Sequence, residues 1–258
     1  MDLRAAFSLL LILGLGWAAE DIDYGTTNEE DPTTVIMTLN NGSDGFLMEG
    51  DIVIPTQRNA IKCMNERYSC LWQRGASGFV EVPYVIIGDY DSSERREISA
   101  AMDEFKAKTC IHFVPRGSEA AYLSLETRSG CSSLVGRIGD KQAVSLQRFG
   151  CVQKGIIQHE LMHALGFYHE HTRPDRDNYV TIQWDNIDSA MQYNFKKQDS
   201  DTLNTKYDYS SVMHYGKTAF AKPGTQAITP IPDPNVPIGQ RMTLSDIDLL
   251  RIKKLYKC

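Results

Sequence analysis

Residues 159–177 read HELMHALGFYHEHTRPDRD. The chain has six histidines; four fall within this one stretch, and three of those, His159, His163 and His169, lie within eleven residues. His159 and His163 are four residues apart, so on a helix they share a face with their Cβ atoms roughly 5–6 Å apart. Glu160 follows the first histidine directly, giving the H-E-x-x-H arrangement in which two imidazoles bind zinc and the glutamate handles a metal-bound water. Gly166 then breaks the helix, and the turn can swing His169 back to the same metal. Three protein ligands leave one position open, the mark of a catalytic zinc rather than a structural one. The competing reading is that two helical histidines merely occupy a core or surface face. It loses weight because five fixed positions match H-E-x-x-H-x-x-G-x-x-H. At roughly 5% each, a chance match in a chain this long runs near ~10⁻⁴.

Outward from that helix, the N-terminus reads MDLRAAFSLLLILGLGWAAE, a short charged start followed by an apolar run from Ala5 to Trp17 and then small residues. The run is too short to span a bilayer and reads as a secretory signal peptide, residues 1–19. The alternative, a buried N-terminal helix, is disfavoured because nothing polar punctuates the run. Export implies an oxidising compartment, so Cys63, Cys70, Cys110, Cys131, Cys151 and Cys258 read as disulfide partners rather than thiolate zinc ligands, and no C-x-x-C pair is present. Six cysteines allow 15 pairings, among which spacing alone does not choose.

Charge divides the chain. Residues 19–58 carry nine acidic residues and one basic, Arg58, whereas Asn59 onward is slightly basic at +2. The acidic stretch begins EDIDYGTTNEEDPTT, reads as disordered at its start, and holds the single N-glycosylation sequon, at Asn41. No basic patch with interleaved aromatics suggests nucleic acid, and no later segment approaches a membrane span. The 200 residues after Arg58 suit one domain with a sizeable core, expected as a monomer.

Within that domain, 79–87 (FVEVPYVII), 110–114, 122–126 and 142–147 read as strands. Residues 91–110 read as an amphipathic helix, with Asp91 and Glu94 at capping-box spacing and Ile98, Met102 and Phe105 on one face. Helices are expected at 155–165, around 185–197, and in the closing TLSDIDLLRIKKLYKC. Residues 222–240 hold five of the ten prolines and read as an irregular loop. The expected architecture is α+β with two lobes. A mixed twisted sheet plus helices forms the N-terminal lobe, mostly loops and helices form the C-terminal lobe, and the histidine helix lies at the floor of the cleft between them.

HELMHALGFYHEHTRPDRD matches H-E-x-x-H-x-x-G-F-x-H-E-x-x-R-x-D-R-D at every fixed position, and SVMHY at 211–215 is similar to a methionine turn. The chain after residue 44 thereby resembles the astacin family of metzincin zinc endopeptidases. The early cysteines in NAIKCMNERYSC look most like the hatching branch that digests the fish egg envelope. The resemblance implies one zinc per chain on His159, His163 and His169, with Glu160 as general base. It implies that Met213 lies beneath the metal and that Tyr215 is a further ligand that moves to stabilise the oxyanion. It also implies disulfides Cys110–Cys258 and Cys131–Cys151, which leaves Cys63–Cys70. Glu170 would pair with the amino terminus created on activation. Read without the resemblance, Met213 is ordinary core, Tyr215 a packed tyrosine, and Glu170 one half of a surface pair with Arg173. His112, His171 and His214 read as structural.

The resemblance further implies a latent precursor. An F-x-G-D-type motif in the family supplies an aspartate to the zinc in place of water. Asp51 in MEGDI is the matching residue, although Phe46 stands four residues before Gly50 rather than two. Read alone, Asp51 is a solvated acidic residue. Arg58–Asn59 is then the activation point for a trypsin-like protease, dividing the chain into a signal peptide (1–19), an acidic propeptide (20–58) and a catalytic domain (59–258). The expected product is secreted, with storage in granules before release, and acts on egg-envelope glycoproteins. Two rivals stand beside this reading. One is a related protease of matrix or peptide substrates. The other is a zinc-binding protein without catalysis, disfavoured because ligands, base and tyrosine are all present.

Overall fold

The computed structural model describes residues 32–41, 47–54 and 70–258. The signal segment, Phe46, Arg58, Asn59 and Cys63 lie outside the described residues, as does the start of the acidic stretch expected to be disordered.

Strand β3 (Val80–Ile87) is β-branched and aromatic, and it lies inside a five-stranded sheet. Its neighbours are β4 (Ile111–Pro115) on one side and β5 (Tyr122–Glu126), then β7 (Lys141–Leu146), on the other, all parallel. The short β6 (Cys131–Ser132) closes the far edge antiparallel to β7. Helix α2 (Ser92–Lys108) crosses between β3 and β4. It starts where the sequence predicts, because Asp91 accepts from the Ser93 and Glu94 amides while Glu94 accepts from the Asp91 amide. Ile98, Met102 and Phe105 line its inner face and join Val80, Val82, Leu123 and Leu125 of the sheet in one apolar core.

Helix α4 (Lys154–Ala164) carries the H-E-x-x-H motif and follows a helical turn, α3 (Arg148–Cys151). Every residue of α4 from Gly155 to Ala164 is buried. Beyond it a second apolar cluster forms from Val180, Ile182, Phe195, Tyr207, Tyr215 and Ile228, distinct from the sheet-side core. These two cores are the two lobes of an α+β domain. The chain ends in α5 (Asp246–Tyr256), capped by Ser245 and Asp248. Cys258 is bonded to Cys110, and Cys131 is bonded to Cys151. Cys70 is also in a disulfide.

Two expectations are corrected, and the later part of the acidic segment proves ordered. Residues 185–197 form two short 3₁₀ turns, Trp184–Asn186 and Gln192–Phe195, rather than a helix. Asn186 and Asp188 explain this, since their side chains satisfy local turn groups and the Gln226 carbonyl, bonds that compete with a helical ladder. The proline-rich 222–240 region is not wholly irregular. Its β9 (Ile228–Pro230) pairs antiparallel with β8 (Val180–Ile182), and Pro230 takes the last position of an edge strand, where a missing amide does least harm. The acidic segment contains helix α1 (Pro32–Asn40) and a small hairpin of β1 (Leu47–Met48) with β2 (Ile52–Val53), all folded onto the domain. Ile36 is fully buried, and Met37 packs against both apolar cores.

The packing around α4 leaves no room at its start. A Cβ on Gly155 would lie 1.8 Å from the Arg241 carbonyl oxygen. Gly155→Ala therefore forces backbone apart and should destabilise the fold by about 1–3 kcal/mol or more, read as a lowered midpoint in urea denaturation.

Candidate metal centre

The fold positions three imidazoles around one point. His159 and His163 share a face of α4, and their ring centroids are 4.7 Å apart. The helix then stops because Gly166 adopts φ +104°, a left-handed conformation that L side chains avoid. Its amide donates to the His163 carbonyl, and the Phe167 amide donates to that of Met162. The reversed chain brings His169 within 4.7 Å of His163, centroid to centroid. All three histidines are buried.

The tautomers are set from outside. His159 Nδ1 is 2.8 Å from the Val212 carbonyl oxygen, and His163 Nδ1 is 2.8 Å from that of Phe167. Carbonyls only accept, so each Nδ1 carries the proton and each Nε2 turns a lone pair inward. Yet His159 Nε2 lies 3.2 Å from His163 Nε2 and 3.3 Å from His169 Nε2. Facing lone pairs at this distance require something electrophilic between them. Tetrahedral zinc with bonds of about 2.0–2.1 Å gives ligand–ligand edges of about 3.3–3.4 Å, which these separations match.

The fourth corner is Asp51. Its Oδ2 is 3.0 Å from His159 Nε2 and 3.3 Å from His169 Nε2, and its Oδ1 is 3.4 Å from His163 Nε2. The four donor atoms lie within 4.8 Å of one another. Asp51 is fully buried, and its Oδ1 makes no hydrogen bond. Burial alone would raise its carboxyl, but His169, His163 and the bond to His159 outweigh that and hold it well below the usual carboxylate range. A carboxylate set against three imidazole Nε2 atoms, with one of its own oxygens left without a hydrogen bond, is the chemistry of a zinc site, and the residues present fit the ion.

Glu160 lies beside this point, and neither of its buried carboxylate oxygens has a hydrogen-bond partner. Burial, followed by the charge of Asp51, pushes its carboxyl well above its ordinary value. Tyr215 is fully buried, tilted over His169, and stacked on His171 at 3.8 Å. Its hydroxyl donates to the Glu49 carbonyl oxygen. Met213 is buried in the sheet-side core, and its carbonyl accepts the Glu170 amide.

Glu170 is not part of a surface pair. It is buried against Arg251, whose two terminal nitrogens reach its two oxygens, the longer contact at 2.7 Å. The Asp208 amide adds a bond of 2.7 Å, and Arg173 stands at 3.6 Å. Among the remaining histidines, His171 meets the Asn194 carbonyl, His214 meets Tyr207, and His112 stacks on Phe79. Asn41 is exposed at the end of α1.

Several residues at the site carried no sequence signal. Asn40 clamps the acidic segment to the sheet edge: its amide donates to Gly50 and Cys131 carbonyls at 2.8 and 2.7 Å, and its carbonyl accepts the Cys131 amide. Glu49 bonds His169 Nδ1 at 2.7 Å. Asp248, buried in α5, accepts from Ser211 Oγ, the Val212 amide and the Ser245 amide. It thereby holds the turn whose Val212 carbonyl orients His159. None of the three is singled out by spacing or motif in the sequence.

This geometry defines a zinc metallopeptidase centre: an H-E-x-x-H helix, a third imidazole after a glycine turn, and a glutamate beside the metal point. Comparison with known proteins agrees. Residues 68–257 match the family model for the astacin family of peptidases. Low choriolytic enzyme of Oryzias latipes is 52% identical over 271 aligned positions, covering 100% of both chains. High choriolytic enzyme 1 of the same fish is 53% identical over 88% of this chain and 84% of its own. The solved structure of the latter, described as a hatching enzyme zinc-protease, superposes with a TM-score of 0.73 at 52% identity, covering 78% of this chain and 100% of that one. The chain belongs to the astacin family and is a zinc metalloendopeptidase.

Asp248→Ala leaves two buried donors, Ser211 Oγ and the Val212 amide, and the half-buried Ser245 amide without their acceptor. It should cost about 3 kcal/mol in urea denaturation and weaken zinc retention through His159.

Proposed function

We propose that this chain is a latent, secreted hatching-type protease whose own N-terminal segment fills the metal centre until it is cut away. The observation that carries the proposal is Asp51 at the fourth corner of the histidine cluster, held there by a folded α1 and hairpin. His159, His163 and His169 would hold the zinc. When bound, zinc polarises the scissile carbonyl and makes water acidic enough to attack near neutral pH.

The residues do the rest. With Asp51 withdrawn, Glu160 is the base beside the vacated corner. It takes the proton of the attacking water and later delivers it to the leaving amine. The Tyr215 hydroxyl, released from the Glu49 carbonyl, is free to donate to the developing oxyanion. Met213 is the apolar base beneath the metal.

In this reading the signal peptide is 1–19, the propeptide 20–58, and the activating cut falls between Arg58 and Asn59, the work of a trypsin-like protease. The new amino terminus enters the cavity of about 200 Å³ beside Glu170, Arg173 and Arg251. The disulfides Cys110–Cys258, Cys131–Cys151 and Cys63–Cys70 suit an exported monomer, and Asn41 takes the glycan. The relatives named choriolytic enzymes support egg-envelope proteins as substrate. Among the described residues no helix is long and apolar enough to cross a membrane.

Glu160→Gln should retain one zinc per chain while peptide hydrolysis falls by about 10²–10⁴-fold; full turnover by the zinc-loaded variant would refute the assignment. Asp51→Ala should yield an uncut precursor that cleaves a fluorogenic peptide. A silent variant precursor would remove Asp51 from the latency mechanism. Incubation of the activated enzyme with isolated egg envelope, with and without chelator, tests the substrate.

A further inference from the structure

The zinc site has an outer layer as well as four corners, and that layer is drawn from two different parts of the chain. The outward Nδ1 atoms of His159 and His163 are held by carbonyls of Val212 and Phe167, which stay with the domain after activation. The third, His169 Nδ1, is held by a carboxylate oxygen of Glu49 at 2.7 Å. Glu49 belongs to the same hairpin as Asp51 and leaves with it.

Four observations set Glu49 apart from an ordinary acidic residue. It is 1% exposed. Its backbone is left-handed at φ +51°, a conformation that side-chain-bearing residues rarely hold without surrounding structure to enforce it. Its second carboxylate oxygen accepts from Gln198 Nε2 at 2.6 Å, and Gln198 is itself fixed by its amide to the Thr172 carbonyl. Among the described residues its one ion pair is with His169. A buried carboxylate with no arginine or lysine at hand needs positive charge from elsewhere. An imidazole that shares the charge of a divalent cation supplies it. Asp51 and Glu49 together bring two negative charges to that cation, one directly and one through His169.

We propose that Glu49 is a positioning residue of the precursor's metal centre. Its carboxylate fixes the tautomer and orientation of His169 and raises the basicity of Nε2, so the propeptide tightens zinc binding as well as blocking the site. The inference rests on the metal-centre reading of His159, His163 and His169. Activation then removes two supports at once, the fourth ligand and the outer partner of the third. The same residue's carbonyl holds the Tyr215 hydroxyl, so zinc retention and the parked tyrosine depend on one turn. Outer-layer carboxylates of this kind contribute about 10–100-fold to metal affinity.

The test is competitive zinc titration of the full-length precursor against a fluorescent chelator. Parent, Glu49→Gln and Glu49→Ala are compared, each with Asp51 intact. Glu49→Gln keeps an acceptor but loses the charge, and zinc should bind about tenfold more weakly; Glu49→Ala should approach about 100-fold. The d–d spectrum of the cobalt-loaded precursor should change in the same order. Cleavage after Arg58 supplies the folding control, since all three precursors release the same mature chain with the same activity. Variants that give an equally active mature chain yet hold zinc within twofold of the parent would overturn the inference. A parent precursor that binds no zinc would overturn the metal-centre reading beneath it.

Discussion

The burial of α4 is the constraint on which the rest of the molecule depends. A helix enclosed on every side is ordinarily apolar, yet this one carries Gln158, His159, Glu160 and His163 within six residues. Each polar group must find a partner or a reason to lack one. Gln158 reaches Glu104 on α2, at 2.8 Å, and the Leu244 amide before α5. His159 reaches the Val212 turn, and His163 reaches the Phe167 carbonyl just after the glycine break. Those demands dictate where α2, the methionine turn and the C-terminal segment can lie. Of these four, Glu160 alone has no hydrogen-bond partner at either oxygen, the unmet demand that the proposed role as base would answer.

The sheet and the two long helices were legible because local signals and tertiary demands agree there. Asp91 and Glu94 cap α2 as their spacing predicts, and the alternation of Val80 and Val82 places both in the core. The three histidines were legible because the chemistry of a metal fixes their spacing. Residues 185–197 depart from the expected helix because Asn186 bonds the Gln226 carbonyl and Asp188 accepts the Ala190 amide, local bonds that compete with a helical ladder. Strand β9 was hidden by proline content, which marks an edge as readily as a loop.

The acidic segment was the least legible part. Its composition promises solvation, and α1 has neither an acidic first turn nor a basic last one. What folds it is not propensity but a template: Ile36 enters a core built by other residues, and Asn40 bonds the Gly50 and Cys131 carbonyls. Such order depends on contacts far away in sequence. Glu49 and Asn40 were invisible for the same reason, whereas Asp51 was visible only through its resemblance to a motif.

Met37 touches the apolar cores of both lobes, and that contact has a mechanical meaning. While α1 is docked, the two walls of the cleft are cross-braced by a strut that belongs to neither. On the proposed activation, the same step that withdraws Asp51 would also uncover the apolar surface on which Ile36, Met37 and Leu39 pack, a hydrophobic rim against which an extended polypeptide could lie.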